Sequence, residues 1–182
     1  MPFAVTHILV PLLLVAIIRD FYINKKNKKF SLHYVLIAGL GGILPDIDVA
    51  FFWVLYFFGF SFEQIHKTAL HSIFIPLLFL ILFLVMRKVN VRARICNIGR
   101  HRLKLSIIFL MLCIGSFFHL IMDMFFEPFA LFYPLYNLKF GVILTTYLPN
   151  DLQWLVLPSL DAFFLIIWLL YLEFKHKISD FI

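Results

Sequence analysis

Five stretches of the chain are almost wholly apolar: 3–18, 34–58, 69–86, 105–126 and 154–172. A hydrocarbon core of about 30 Å needs roughly 20 apolar residues in a helix. Each stretch therefore predicts a transmembrane helix, the first at the lower limit of length. The polar positions between them are ordered by sign. Arg19, Lys25, Lys26, Lys28 and Lys29 separate the first two stretches. Arg87, Lys88, Arg92, Arg94, Arg100, Arg102 and Lys104 separate the third and fourth, and Lys175 and Lys177 follow the fifth. These are fourteen of the sixteen basic residues, and all lie on one side of a five-span chain; Lys67 and Lys139 alone fall on the other. Cytoplasmic loops carry the excess of Lys and Arg. The expected fold is an all-α, polytopic membrane helix bundle of about five transmembrane helices, with the N-terminus outside and the C-terminus cytoplasmic. The first stretch has no basic region before it and no small-residue cleavage site after it, so it reads as an uncleaved anchor.

Composition supports this reading. Of 182 residues, 63% are hydrophobic and 14% charged, with a mean hydropathy of +0.99. Soluble domains are about 45–50% apolar and 25% charged, and a water-soluble core of this size has no room for the difference. No linker-like composition or internal repeat divides the chain, so a single domain over 1–182 is expected. The net charge of +6 would suggest nucleic acid. Its confinement to one side accounts for it instead, so the expected partner is the lipid bilayer and no nucleic acid. Anionic headgroups are a further candidate contact. Cys96 lies in a basic segment and Cys113 in an apolar one, which argues against a disulfide. Between the last two stretches, Phe129, Phe132, Tyr133, Tyr136, Phe140 and Tyr147 lie among Pro128, Pro134 and Pro149. Such a segment suits the headgroup level, as a lid or a re-entrant turn.

Ionisable residues inside spans are costly and mark functional sites. Here they are His7, Asp46, Asp48, His71, His119, Asp123 and Asp161. At about 1.5 Å per residue from the basic end of each span, all seven fall at about 16–27 Å. They share one layer in the outer half of the bilayer. His33, His101 and His176 fall outside it and read as surface residues. Imidazole with carboxylate is the ligand set of zinc, manganese and iron sites. His119 and Asp123 are spaced i, i+4, on one helix face, with Gly115 one turn earlier to let another helix approach. Gly41-Gly42-Ile43-Leu44-Pro45-Asp46-Ile47-Asp48 breaks the second span, and broken backbone at membrane depth lines a cavity or is buried in protein. The break lets Asp46 and Asp48 face one site, although a regular helix would point them apart. Thr68 is a candidate cap for the third span, with His71 in its first turn and His66 in the preceding loop.

Four patches occur in order: Thr6-His7; Gly42-Ile43-Leu44-Pro45-Asp46-Ile47-Asp48; His66-Lys67-Thr68-Ala69-Leu70-His71-Ser72; and Gly115-Ser116-Phe117-Phe118-His119-Leu120-Ile121-Met122-Asp123, with Tyr133-Pro134 beyond them. In these patches the chain resembles, over roughly 1–140, the YdjM family of membrane proteins, inferred to be metal-dependent hydrolases. That family is in turn distantly similar to the zinc-dependent phospholipase C and single-strand nuclease group, which cleaves phosphoesters with a zinc cluster. The resemblance implies a divalent metal, zinc first, as one or two ions held by His7, Asp46, Asp48, His71, His119 and Asp123, with Asp123 able to bridge a pair. Lys67 stands where the family usually has Arg, and no second His-x-x-x-Glu/Asp pair is present, which weighs against a three-zinc cluster.

The expected function is metal-dependent hydrolysis of a phosphoester, a phospholipid among the candidates, near the outer leaflet. Asp46 or Asp48 would accept a proton from water, and His66 is a ligand, a proton donor or a loop residue. Asp161 reads as a supporting residue. Two other classes use the same residues. A metal-ion or proton transporter would need a polar route to the cytoplasm, and the cytoplasmic halves of the spans carry almost no ionisable groups. A non-catalytic module, with His119 and Asp123 as a structural pair and Asp46 and Asp48 capping a broken helix, predicts no bound metal.

Overall fold

The computed structural model describes residues 4–23, 30–66, 69–89, 92–93 and 103–176. Lys25, Lys26, Lys28, Lys29, Lys67, Thr68, Cys96, His101 and Lys177, on which parts of the sequence reading rest, lie outside them, as does the His176 side chain. Helix α1 (Ala4–Ile18) continues into a π turn over Arg19–Ile23. Helix α2 (Leu32–Ile43) starts at Ser31, whose hydroxyl accepts from the His33 amide at 3.3 Å. A side chain that takes up an orphan N–H is how such a helix start is held. Pro45 has no N–H to continue the ladder. The chain turns through Leu44-Pro45-Asp46 and resumes as α3 (Ile47–Leu55), bent by 46°. A 3-10 turn (Tyr56–Phe58) closes on Gly59, whose φ of 85° is the left-handed conformation glycine allows. Then come α4 (Phe62–Ile65), α5 (Phe74–Val89), a short antiparallel pair β1 (Arg92–Ala93) and β2 (Leu103–Lys104), and α6 (Leu105–Phe126). After an irregular stretch with a 3-10 turn at Leu144–Tyr147, α7 runs from Asn150 to His176.

The all-α reading holds, while the five predicted spans are only partly matched. Among the described residues, three helical stretches are long and apolar enough to cross a membrane: Ala4–Phe21, Leu105–Phe126 and Asn150–Lys175. The bent pair Leu32–Ile43 and Ile47–Phe58 makes four if taken as one span. The third predicted span falls short because residues 69–73 are turns; α5 has 16 residues, about 24 Å of helix. The same turns move His71 out of the helix in whose first turn the sequence reading had it.

Helices α1, α2 and α6 form the centre, with α5 along α6 and α7 along α1. Small residues set the spacing, as they do wherever membrane helices approach closely. A Cβ on Gly115 would lie 2.2 Å from the Ala38 carbonyl oxygen, and one on Gly42 would lie 2.0 Å from that of His7. One end of the bundle is tied by polar contacts. Arg19 donates to the Phe30 carbonyl at 3.0 Å and to Asp20 at 2.7 Å, the Tyr171 hydroxyl donates to Asp20, and the Lys104 amide donates to the Tyr34 hydroxyl at 2.7 Å. Next comes an apolar core of Leu12, Val15, Ala16, Tyr34, Val35, Ala38, Leu103 and Met111. Beyond it, towards the start of α1 and the end of α6, lie the buried polar side chains described next.

Candidate metal centre

Six of the seven residues that the sequence placed in one layer meet in space: His7 from α1, Asp46 and Asp48 from the break between α2 and α3, His71 from the turn before α5, and His119 and Asp123 from α6. The side chains of His7, His71, His119 and Asp123 have no exposed surface, and Asp48 is 5% exposed. Asp161 stands apart. Its Oδ1 accepts from the Thr6 amide at 2.9 Å and from the Thr6 hydroxyl, taking up one of the orphan N–H groups of the first turn of α1. It thus holds α7 against the residue next to His7. His33 is exposed and bonded to Ser31, as a surface residue should be.

The geometry narrows to four atoms. His119 Nδ1 lies 2.6 Å from the Gly42 carbonyl oxygen. A carbonyl can only accept, so Nδ1 carries the proton, and in the neutral ring Nε2 presents its lone pair. That Nε2 lies 3.2 Å from His71 Nε2, 3.5 Å from Asp123 Oδ2 and 3.7 Å from Asp46 Oδ1. His71 Nε2 is 3.4 Å from Asp46 Oδ1 and 3.6 Å from Asp123 Oδ2. Nitrogen and oxygen ligands at 2.0–2.2 Å around a tetrahedral ion are about 3.3–3.6 Å apart. Five of the six edges of this quartet span 3.2–3.7 Å, the spacing of ligands that share an ion, and Asp46, His71 and His119 form a trio close enough to hold one.

Satisfaction of hydrogen bonds points the same way. Among the described residues, the buried side-chain atoms without a hydrogen-bond partner are both nitrogens of His7, Asp46 Oδ1, His71 Nδ1 and both oxygens of Asp123. Buried polar groups are normally paired, and a buried carboxylate without compensation is costly. Two of these unpartnered atoms, Asp46 Oδ1 and Asp123 Oδ2, face the Nε2 atoms of His71 and His119, and a single cation among them would compensate both. The donor set fits a divalent metal.

Asp48 sits on the far side of His71. Its Oδ2 is 3.1 Å from His71 Nδ1, and its Oδ1 is 3.0 Å from His66 Nδ1. The carboxylate engages two imidazoles at once, and beside His71 it favours the tautomer that turns Nε2 to the quartet. His66 stacks on Phe62, with ring centroids 4.6 Å apart. His7 lies on the other side, its ring stacked on His119 at 3.9 Å and its Nε2 3.3 Å from Asp123 Oδ1. Asp123 thus turns one oxygen to the quartet and the other to His7. The trio His7, His119 and Asp123 is close enough to hold an ion. However, it shares His119 with the quartet, and that ring has one lone pair to give.

Two contributors were hidden from sequence reasoning. The Gly42 carbonyl orients His119, and a main-chain carbonyl leaves no trace in a sequence; the Gly41-Gly42 pair signalled only a close approach. Phe129, grouped with the interfacial aromatics, is instead 2% exposed, its ring 6.3 Å from that of His71. It is fixed there by paired hydrogen bonds with Phe140 at 3.1 and 2.9 Å. Tyr136 and Tyr147 in the same segment are exposed, as the interfacial reading expects.

No curated protein and no solved structure gives a significant match to the chain. A family model does, over residues 1–177, and with the apolar helices it makes this a multi-pass protein of the cell membrane. That model is described as YdjM inner membrane protein, and the chain belongs to that family.

Proposed function

We propose that the protein is a metal-dependent hydrolase that cleaves a phosphoester in the outer half of the bilayer. The observation that carries this reading is the quartet of His71 Nε2, His119 Nε2, Asp46 Oδ1 and Asp123 Oδ2, with five of its six edges at 3.2–3.7 Å. Zinc suits it best, since imidazole nitrogen and carboxylate oxygen are among its usual ligands. A divalent ion supplies Lewis acidity and lowers the pKa of water towards neutrality. The chain supplies the rest. Gly42 and Asp48 orient the two imidazoles. His66, backed by Asp48 at 3.0 Å, is suited to accept and return a proton, as a positioned His–carboxylate pair does. Because His119 has one lone pair to share, one ion is held tightly, and a second beside His7 and Asp123 Oδ1 weakly.

Five crossings with the N-terminus outside remain the proposed topology. Arg19, Lys104 and Lys175 gather at one end, linked through the Phe30 carbonyl, Tyr34 and the Phe21 ring; the positive-inside rule makes that end cytoplasmic. The site then lies towards the outer face. Among the described residues, the core between the two ends is a cluster of apolar side chains, which favours hydrolysis over transport.

Mass spectrometry of detergent-purified protein should find about one equivalent of zinc, manganese or iron. Chelation should remove both the metal and hydrolysis of p-nitrophenyl phosphate and bis-p-nitrophenyl phosphate, and adding the ion back should restore both. Protein that takes up no metal from excess ions would overturn the reading. Asp48→Asn should keep the fold but weaken metal affinity about 10–100-fold, the usual effect of losing a partner that orients a ligand; titration with a competing chelator measures it.

A further inference from the structure

The ligand shell is closed on nearly every side, and where it opens bears on what can reach it. His7, His71, His119 and Asp123 have no exposed surface, whereas the Asp46 side chain is 14% exposed. Asp46 Oδ1 itself is buried and turned to the imidazoles, so the rest of the side chain carries that exposure. Asp46 ends the turn between α2 and α3, and the surface on both sides of it is apolar. Before it on α2 come Leu36 and Leu40, 50% and 62% exposed. After it come Ile47, Phe51 and Val54 on α3 and Phe58 in the 3-10 turn that follows, at 44–73%. These four recur at three- and four-residue spacing, so they form one stripe. Helical side chains lean towards the N-terminus of their helix, which brings Ala50 and Phe51 back over the turn that carries Asp46. The 46° bend turns α3 aside, and α3 packs principally on α4. The stripe is therefore left uncovered among the described residues.

We infer that the substrate is a membrane lipid. Its headgroup ester reaches the ion past Asp46, while its hydrocarbon tail lies along Ile47, Phe51, Val54 and Phe58. This deepens the hydrolase reading above and rests on it. An apolar approach is costly for a hydrated, charged ester on its own. A tail laid on the stripe supplies binding energy remote from the reacting bond, and such energy holds an ester in place for attack. Hydrolysis at this site adds water across the ester, leaving an alcohol and an acid, with no other reactant required.

The test compares substrates that share the reacting bond and differ in the tail. Metal-loaded protein is given vesicles of a total polar lipid extract, and in parallel the water-soluble heads from mild alkaline deacylation of that extract, with consumption followed by mass spectrometry. At least one lipid class should be consumed with a kcat/KM about 100-fold or more above that of its deacylated head. The Ile47→Ala, Phe51→Ala double variant should keep its metal and lower kcat/KM for that lipid about tenfold. Equal turnover of lipid and deacylated head would overturn the lipid inference and leave the hydrolase reading standing. So would a double variant with unchanged kcat/KM for that lipid. Turnover of neither by protein that holds its metal would sink both.

Discussion

His119→Ala protein should leave purification without its metal and with hydrolysis at background. His119 alone joins three parts of the centre: Nε2 faces His71, Asp46 and Asp123, Nδ1 holds the Gly42 carbonyl, and the ring stacks on His7. Loss of a group that merely orients a ligand weakens binding about 10–100-fold, so loss of the ligand itself should exceed that range. Asp123→Ala should behave alike, since both of its oxygens face the cluster. Metal content by mass spectrometry is the first readout and thermal stability the second. An ion held at about 1,000 times its Kd stabilises the folded state by about 4 kcal/mol. For a chain of this size that corresponds to about 8–16 °C in Tm. Wild-type protein should show that shift on metal loading, and neither variant should. Metal retained at wild-type level by both variants would show the site to be wrongly assigned, whatever their activity.

Gly42→Ala should lower stability and metal affinity together. The new Cβ would lie 2.0 Å from the His7 carbonyl oxygen and 2.9 Å from Pro11 Cγ. The first obstacle is backbone, so α1 and α2 must separate. Overpacking costs about 1–3 kcal/mol even where side chains can give way, and about 3 kcal/mol corresponds to about 6–12 °C in Tm. Separation would also draw the Gly42 carbonyl away from His119 Nδ1, which is why the loss of affinity should accompany the loss of stability. Gly59→Ala is the matched control. Its Cβ would meet nothing within 4 Å, and its cost is the left-handed backbone alone, about 1–2 kcal/mol. Metal binding by Gly59→Ala should stay at wild-type level. If Gly42→Ala binds metal as wild type does and melts within 2 °C of it (a drop smaller than about 1 kcal/mol), the close α1–α2 approach does not organise the centre.

The sequence by itself determined that this is a helical membrane protein and which residues make its polar centre. Apolar runs and sorted charges need no tertiary knowledge, because the bilayer imposes span length and charge sidedness directly. His7, Asp46, Asp48, His71, His119 and Asp123 were legible because an ionisable group among apolar residues is costly unless something compensates it. The same reasoning could not divide their roles, because roles depend on which atom faces which. Only the tertiary structure turned Nε2 of His71 and of His119 to a common point, set Asp48 behind His71 beside His66, and tied Asp161 to Thr6. It also decided that α5 is short, since residues 69–73 form turns where their apolarity alone suggested helix. The Gly42 carbonyl is the plainest case: every residue has a carbonyl, and only the approach of α6 to α2 decides which one holds His119.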